Sequence, residues 1–183
     1  MREAGQRGAG TRARIIEAAG RLFRERGIDA VGVDAVMHEA GLTHGGFYTH
    51  FPSKEALVAE ATAAALAGSA ARWEAVAREH PEDGYARIVE SYLDPAHVAG
   101  LERGCLLAAL GPEMARRPAA RPGVTAAIRA MLAALARCAP GQRRERAAAT
   151  LCTLVGAAVL ARASDDPALS AELLQAARAA ARR

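Results

Sequence analysis

Aromatic residues are scarce in this chain of 183 residues: phenylalanine, tryptophan and tyrosine together make up 4% of it. A core filled by large rings is therefore excluded. The abundance of alanine and leucine points instead to helices packed closely together. Cysteine occurs only as Cys105, Cys138 and Cys152. An odd number without paired spacing argues against a disulfide framework or a zinc knuckle. No stretch alternates apolar and polar residues as a strand does, and no fixed repeat marks a solenoid. The first residues lack the apolar core of a signal peptide. The longest apolar stretch, Leu151 to Ala161, contains Thr153 and is too short to span a bilayer. A cytoplasmic chain without a membrane partner is expected. His80 and His97 are isolated, so no metal is expected, and nothing calls for a cofactor.

What is present suits a helical chain with a substantial core, since 51% of the residues are apolar. The net charge of +4 is too mild to establish nucleic-acid binding. Its distribution is more informative. Residues 1–27 carry seven arginines against three acids, whereas residues 28–60 add only Lys54 against five acids. The basic excess thus lies at the start, where it fits an arm near phosphates or simply a solvated face.

Along the chain, residues 1–10 are rich in glycine and arginine and are expected to be a mobile tail. Thr11 is a candidate N-cap for a first helix carrying Ile15, Ala18, Ala19, Leu22 and Phe23 at helical spacing, with Gly27 as its C-cap. A shorter helix follows with Val33, Val36, Met37 and Ala40 on one face, broken at Gly41. Thr43 can cap a third, ending before Pro52, and Ser53 caps a long fourth helix to about Glu79. The remainder reads as helices over 85–93, 104–116, 124–138, 142–163 and 168–182, with a bend in the stretch holding Pro112, Pro118 and Pro122. The fold expected is all-α with about nine helices.

The stretch Gly27 to Leu57 carries the chemistry. Two short helices meet at Ala40-Gly41-Leu42, and a helix-turn-helix needs a residue able to adopt positive φ in that turn. The second helix of such a pair enters the major groove. Here it is Thr43 to His50, unusual for a core helix because Gly45 and Gly46 are adjacent, each costing about 1 kcal/mol relative to alanine. Thr43, Tyr48, His50 and Lys54 can reach the sugar-phosphate backbone. His44 is the candidate reader of a base edge, and Thr49 suits a phosphate or a thymine methyl. Arg12 adds a cation for phosphate. Phe47, Phe51 and Leu57 are expected in the core.

The run Gly41-Leu42-Thr43-His44-Gly45-Gly46-Phe47-Tyr48-Thr49-His50-Phe51-Pro52-Ser53-Lys54-Glu55-Ala56-Leu57 resembles the recognition helix and fourth-helix start of the TetR family. Thr11-Arg12, Ala18-Ala19, Leu22-Phe23 and Gly27 resemble its first helix. The resemblance covers about residues 11–60. It implies a three-helix DNA-binding head (residues 11–56) joined to a larger helical domain for ligand binding and dimerisation (57–183). It also implies backbone contacts for Thr43, Tyr48, His50 and Lys54, and base contacts for His44 and Gly45. Two departures stand out. Gly32 occupies the place where the family usually carries a capping Ser or Thr, and Met37 the place where it tends to have alanine. Met37 needs room that Gly45 or Gly46 would leave.

The function expected is a ligand-responsive regulator, a repressor by the family's usual mode. It would bind a pseudo-palindromic double-stranded DNA operator as a homodimer and be released by a small molecule. Trp73, Tyr85, Tyr92, Cys105 and Met114 are candidate effector contacts, each equally at home in a core. Arg103-Gly104-Cys105 opens a helix, an arrangement that favours a reactive thiolate, so a thiol-reactive effector is a second possibility. Leu151, Leu154 and Ala158, with Leu169, Leu173 and Ala177, form two stripes suited to a four-helix dimer interface. The chain is not expected to be an enzyme; Cys105 with a remote His97 is its sole conceivable dyad. A helical interaction module with a vestigial head is the other alternative.

Overall fold

A computed structural model of the chain describes residues 2–100, 104–139, 141 and 143–182, with side chains from residue 9 onward. Among these residues it is all-α, as expected, with ten α-helices and no strand. They are α1 (Arg2–Arg26), α2 (Val33–Glu39), α3 (Phe47–His50), α4 (Lys54–Glu79), α5 (Gly84–Tyr92), α6 (Pro95–Ala99), α7 (Leu106–Ala115), α8 (Arg121–Cys138), α9 (Arg144–Ala163) and α10 (Pro167–Arg182). A 3-10 turn, His44–Gly46, leads into α3.

Two elements differ from expectation. Residues 2–10 are helical rather than a loose tail, and Thr11 lies inside α1 instead of capping it; Met1 lies outside the described residues. Once a helix exists, adding residues costs far less than nucleating it, so good formers such as Arg2, Glu3, Ala4 and Gln6 carry it across the intervening glycines. Asp94-Pro95, which reads as a stop, also starts α6: the Asp94 carboxylate accepts from Ala96 N–H at 2.8 Å, and proline suits a first helical turn. The bend expected in the proline-rich stretch falls at residues 116–120, while Pro112 lies within α7 and Pro122 in the first turn of α8.

The buried apolar residues form one continuous cluster from Ile15 to Ala181. α4 runs through both ends of it. Its first turns bury Leu57, Val58 and Ala61; α4 packs against α1 in the head and along α8 in the body. That α4–α8 seam is close: a Cβ on Gly123 would lie 2.6 Å from the Ala63 Cβ. α9 packs between α8 and α10.

The dimer stripe predicted on α9 and α10 is largely interior. Leu151, Leu154, Ala158 and Ala177 are buried within the chain itself. α9 is apolar on both faces, and the face turned outward carries Cys152, Gly156, Val159 and Leu160. On α10, Leu169 is 44% exposed and Leu173 half-buried. Among the described residues α9 alone is long and apolar enough, by length and composition, to cross a membrane, and a third of it is buried against its neighbours.

Candidate nucleic-acid interface and effector cavity

The turn between α2 and α3 is built by backbone bonds. Gly41 N–H donates to the His38 carbonyl at 2.9 Å and Leu42 N–H to the Met37 carbonyl at 2.8 Å. This pair of reversed bonds is the Schellman ending, which needs a left-handed residue; Gly41 supplies it with φ 66°. The Arg14 guanidinium donates to the Ala40 carbonyl beside it, tying the turn to α1.

The turn presents the following segment with one face in and one face out. Phe47 and Phe51 are fully buried and stack with centroids 5.7 Å apart. Thr43, His44, Gly45, Tyr48 and Thr49 are exposed, and Gly46, His50 and Lys54 half-buried. Tyr48 is 65% exposed, the largest exposure among the big apolar side chains of the described residues. Its ring lies edge-on to His44, 6.3 Å between centroids. Thr43 stands at the N-cap position without a side-chain capping bond, whereas the Ser53 hydroxyl caps α4 by accepting from Ala56 N–H at 3.1 Å.

Gly32 is the N-cap of α2 and, having no side chain, offers only its carbonyl to Val36 N–H. Met37 is accommodated at Gly46, where an added Cβ would lie 3.7 Å from the Met37 terminal methyl, while Gly45 faces open space. A β-carbon fits that gap but a larger group does not. Gly46→Leu is therefore expected to destabilise the fold by about 1–3 kcal/mol and Gly46→Ala to change little, as read by urea denaturation. Equal midpoints for the two variants would contradict this account.

Two features of this surface differ from the sequence reading. His44 is not free: its Nδ1 pairs with the Asp34 carboxylate from α2. Asp34, 82% exposed, was missed because its partner lies ten residues away across the turn. Arg12 is held within the protein, its guanidinium paired with Glu60 of α4 and lying 4.6 Å over the Phe51 ring. It braces α1 against α4 instead of projecting as a loose cation.

The body holds the head through α7. The Glu113 carboxylate accepts from Ile28 N–H, just beyond α1, at 2.8 Å. Arg117, following α7, bridges Asp29 and Glu55.

At the other end of α7 lies a cavity of about 480 Å³. Trp73, Tyr92 and Cys105, three of the five candidate effector contacts, line it, with Met131 and Ile88 completing an apolar wall. Tyr85 and Met114 do not. The Tyr85 hydroxyl is engaged by Thr150 and the Ala181 carbonyl between α5, α9 and α10, and Met114 is buried near the far end of α7. The sequence reading missed the basic side chains of this cavity: Arg24 from α1, Arg72 from α4, Arg87 from α5 and His97 from α6. His97 was visible as a lone imidazole, but nothing local joined it to arginines far away in sequence.

Burial shapes the chemistry here. It disfavours the charge of Arg24, and neighbouring Arg72 does so further. Burial, then Arg162 and Arg72, likewise push the His97 pKa below its ordinary value, against the pull of Asp94. The Tyr92 phenol is raised far above its usual range, chiefly by burial, so it remains a hydroxyl donor. Cys105 stands at the N-cap of α7, buried beside Tyr92; Arg103 lies outside the described residues. Cys138 is buried, which raises its thiol, and Cys152 is exposed. No group of His, Cys, Asp and Glu able to hold a metal ion occurs among the described residues.

A helix-turn-helix head on a helical body enclosing a cavity defines a class, and the comparisons agree with it. Residues 15–61 match the family model described as bacterial regulatory proteins, tetR family. The uncharacterized HTH-type transcriptional regulator YerO of Bacillus subtilis (strain 168) is 44% identical over 48 residues, 26% of this chain and 17% of that protein, so the match spans well under two thirds of that relative. Across nearly the whole chain the fold is shared with E. coli NemR in its reduced form, at TM-score 0.79 and 21% identity, covering 93% of this chain and 95% of that one. The multidrug binding protein EbrR, complexed with proflavin, is similar at TM-score 0.67 and 26% identity, covering 94% and 98%. The match to the tetR family of bacterial regulatory proteins thus lies in the head, over residues 15–61, while the likeness over the rest of the chain is one of fold.

Proposed function

We propose that the protein is a ligand-responsive transcriptional repressor of the cytoplasm. In this reading residues 11–56 grip a pseudo-palindromic operator, while residues 57–183 dimerise and bind a small molecule whose arrival releases the DNA. The observation that carries it is the exposed His44–Tyr48 face, set rigidly on buried Phe47 and Phe51 behind a Schellman turn. Tyr48, 65% in solvent, turns its ring and hydroxyl outward beside His44, an arrangement able to meet the sugar-phosphate backbone of a duplex.

Asp34 gives His44 a defined role. When the imidazole is neutral and Nδ1–H donates to the carboxylate, Nε2 is left as an acceptor. It then suits a base-edge donor, the N4 amine of cytosine or the N6 amine of adenine. Thr43, Tyr48, Thr49, His50 and Lys54 surround it as backbone contacts, with Gly45 and Gly46 allowing close approach.

Occupation of the cavity reaches the head by two routes, through α7 to the Glu113 and Arg117 anchors and through Arg24 on α1 itself. EbrR, with its bound proflavin, supports a small-molecule effector for this fold. A thiol-reactive effector would have to enter the cavity to meet buried Cys105. The outward apolar faces of α9 and α10 are proposed to meet a second copy, with Leu169 and Leu173 kept from the sequence-predicted stripe and Cys152, Gly156, Val159 and Leu160 replacing its buried members.

Selection from a random duplex pool at two salt concentrations tests this reading. A pseudo-palindrome is expected, with half-sites about one helical turn, roughly 34 Å, apart. Lys54→Ala is expected to weaken all sequences alike and lower the salt slope by about 1. His44→Ala is expected to flatten preference at one position per half-site, by about 1–3 kcal/mol. Identical effects of the two changes on every sequence would sink the assignment, and absence of any enriched sequence would sink the operator reading.

A further inference from the structure

We infer that the cavity is built for an organic anion with an apolar, ring-sized body, and that Arg24, a residue of the head's own first helix, is one of its ligands. The inference rests on the effector reading above and adds the charge of the effector and its point of contact.

Three polar atoms of this cavity's lining residues are buried without a hydrogen-bond partner: Arg24 Nε, the Tyr92 hydroxyl and His97 Nε2. Such orphans are rare, because a buried donor gives up its bond to water and gains none in return. The first two are donors, and His97 Nε2 is one in the matching tautomer. Tyr92 carries its hydroxyl beside Cys105, whose sulfur is only a weak partner, and holds its ring against Trp73 and His97, with centroids 5.8 and 5.2 Å away.

Charge points the same way. Among the described lining residues there are three arginines and a histidine but no aspartate or glutamate. Arg87 is paired, with Asp83 at 2.8 Å. Arg72 donates, among the described residues, to the Ser69 hydroxyl at 3.0 Å. Ordered water can satisfy a buried donor, but water does not neutralise two arginines facing one cavity. A carboxylate or phosphate does, and guanidinium groups match both in geometry. Trp73, Ile88 and Met131 offer the apolar wall for the remainder of the molecule, and about 480 Å³ accommodates it.

The position of Arg24 gives the binding a consequence. It lies one turn before Gly27 and the Glu113–Ile28 contact. An anion held by Arg24 together with Arg72, Tyr92 and His97 joins α1 to α4, α5 and α6 at once. Binding therefore acts on the end of the head's first helix directly.

The full-length protein is titrated with 2-naphthoate, 2-naphthyl phosphate, the neutral 2-naphthamide and the cationic acridine proflavin. Binding is read by calorimetry and by emission of Trp73, the single tryptophan. At least one anion is expected to bind about tenfold or more tighter than 2-naphthamide, and proflavin more weakly than either anion. The tighter of the two anions identifies carboxylate or phosphate as the group recognised. Arg72→Gln, at an exposed side chain that does not endanger folding, and Arg24→Gln are each expected to lower that anion's affinity about tenfold while leaving 2-naphthamide within about twofold. Tyr92→Phe keeps the packing and is expected to reduce anion binding less. The inference is overturned if 2-naphthamide or proflavin binds as tightly as the anions, if none of the four binds, or if the anion preference survives in both arginine variants. The same preparation is tested for DNA binding. Lost anion preference with intact DNA binding overturns this inference alone, and anion preference without DNA binding overturns the regulator reading while the anion site stands.

Discussion

Replacing Leu160 with glutamate is expected to convert the protein to monomers at micromolar concentration and to weaken binding to the selected palindrome by more than about a hundredfold. Leu160 is 56% exposed within the chain and Val159 beside it 41%. With Cys152 and Gly156 they form the outward face of α9. A contiguous apolar face of this kind is a mark of an interface, and small residues at 152 and 156 let a second helix approach closely. A carboxylate there would have to be buried without a partner in the dimer, where the cost is high. In the monomer it would stand in water, so thermal stability at low concentration is expected to move little. Light scattering gives the mass. Two heads that no longer sit on one rigid body must bind half-sites independently, which accounts for the lost affinity. A dimer that persists in Leu160→Glu would place the interface on another face.

Phe47→Ala is expected to lower stability by about 3–5 kcal/mol, a large part of the roughly 5–15 kcal/mol available to a domain. The Phe47 ring is fully buried, stacked on Phe51 and edge-on to Tyr48 at 5.2 Å, so its removal opens a cavity where α3, α4 and the turn meet. DNA binding is expected to fail with it because the recognition segment loses its support. Tyr48→Phe, one residue along, is the informative partner. That side chain faces solvent, so the midpoint of unfolding is expected to hold while affinity for all DNA sequences falls by the loss of one hydroxyl contact, about 1 kcal/mol. Calorimetric unfolding and DNA titration of the two variants separate support from contact. Loss of stability in Tyr48→Phe would mean that Tyr48 packs rather than binds.

Much of this protein was determined by sequence alone, wherever the causes are local. Gly41 requires its left-handed turn, Ser53 caps α4, and the spacing of Phe47, Phe51 and Leu57 dictates which side of the recognition segment is inside. Each of these acts within a few residues, so it is readable from the chain. Where two answers are locally equivalent, tertiary structure decided. α9 is apolar on both faces, and only its packing between α8 and α10 selected Leu151, Leu154 and Ala158 for the interior and left Val159 and Leu160 outside. Asp34 and His44, Arg12 and Glu60, and Glu113 and Ile28 are pairs separated by one or several helices, and their contacts depend on how those helices cross. The cavity is the clearest case. Trp73, Tyr92 and Cys105 were legible as apolar candidates, but its charge comes from Arg24, Arg72, Arg87 and His97 on four helices, each an ordinary basic residue until folding brings them around one space.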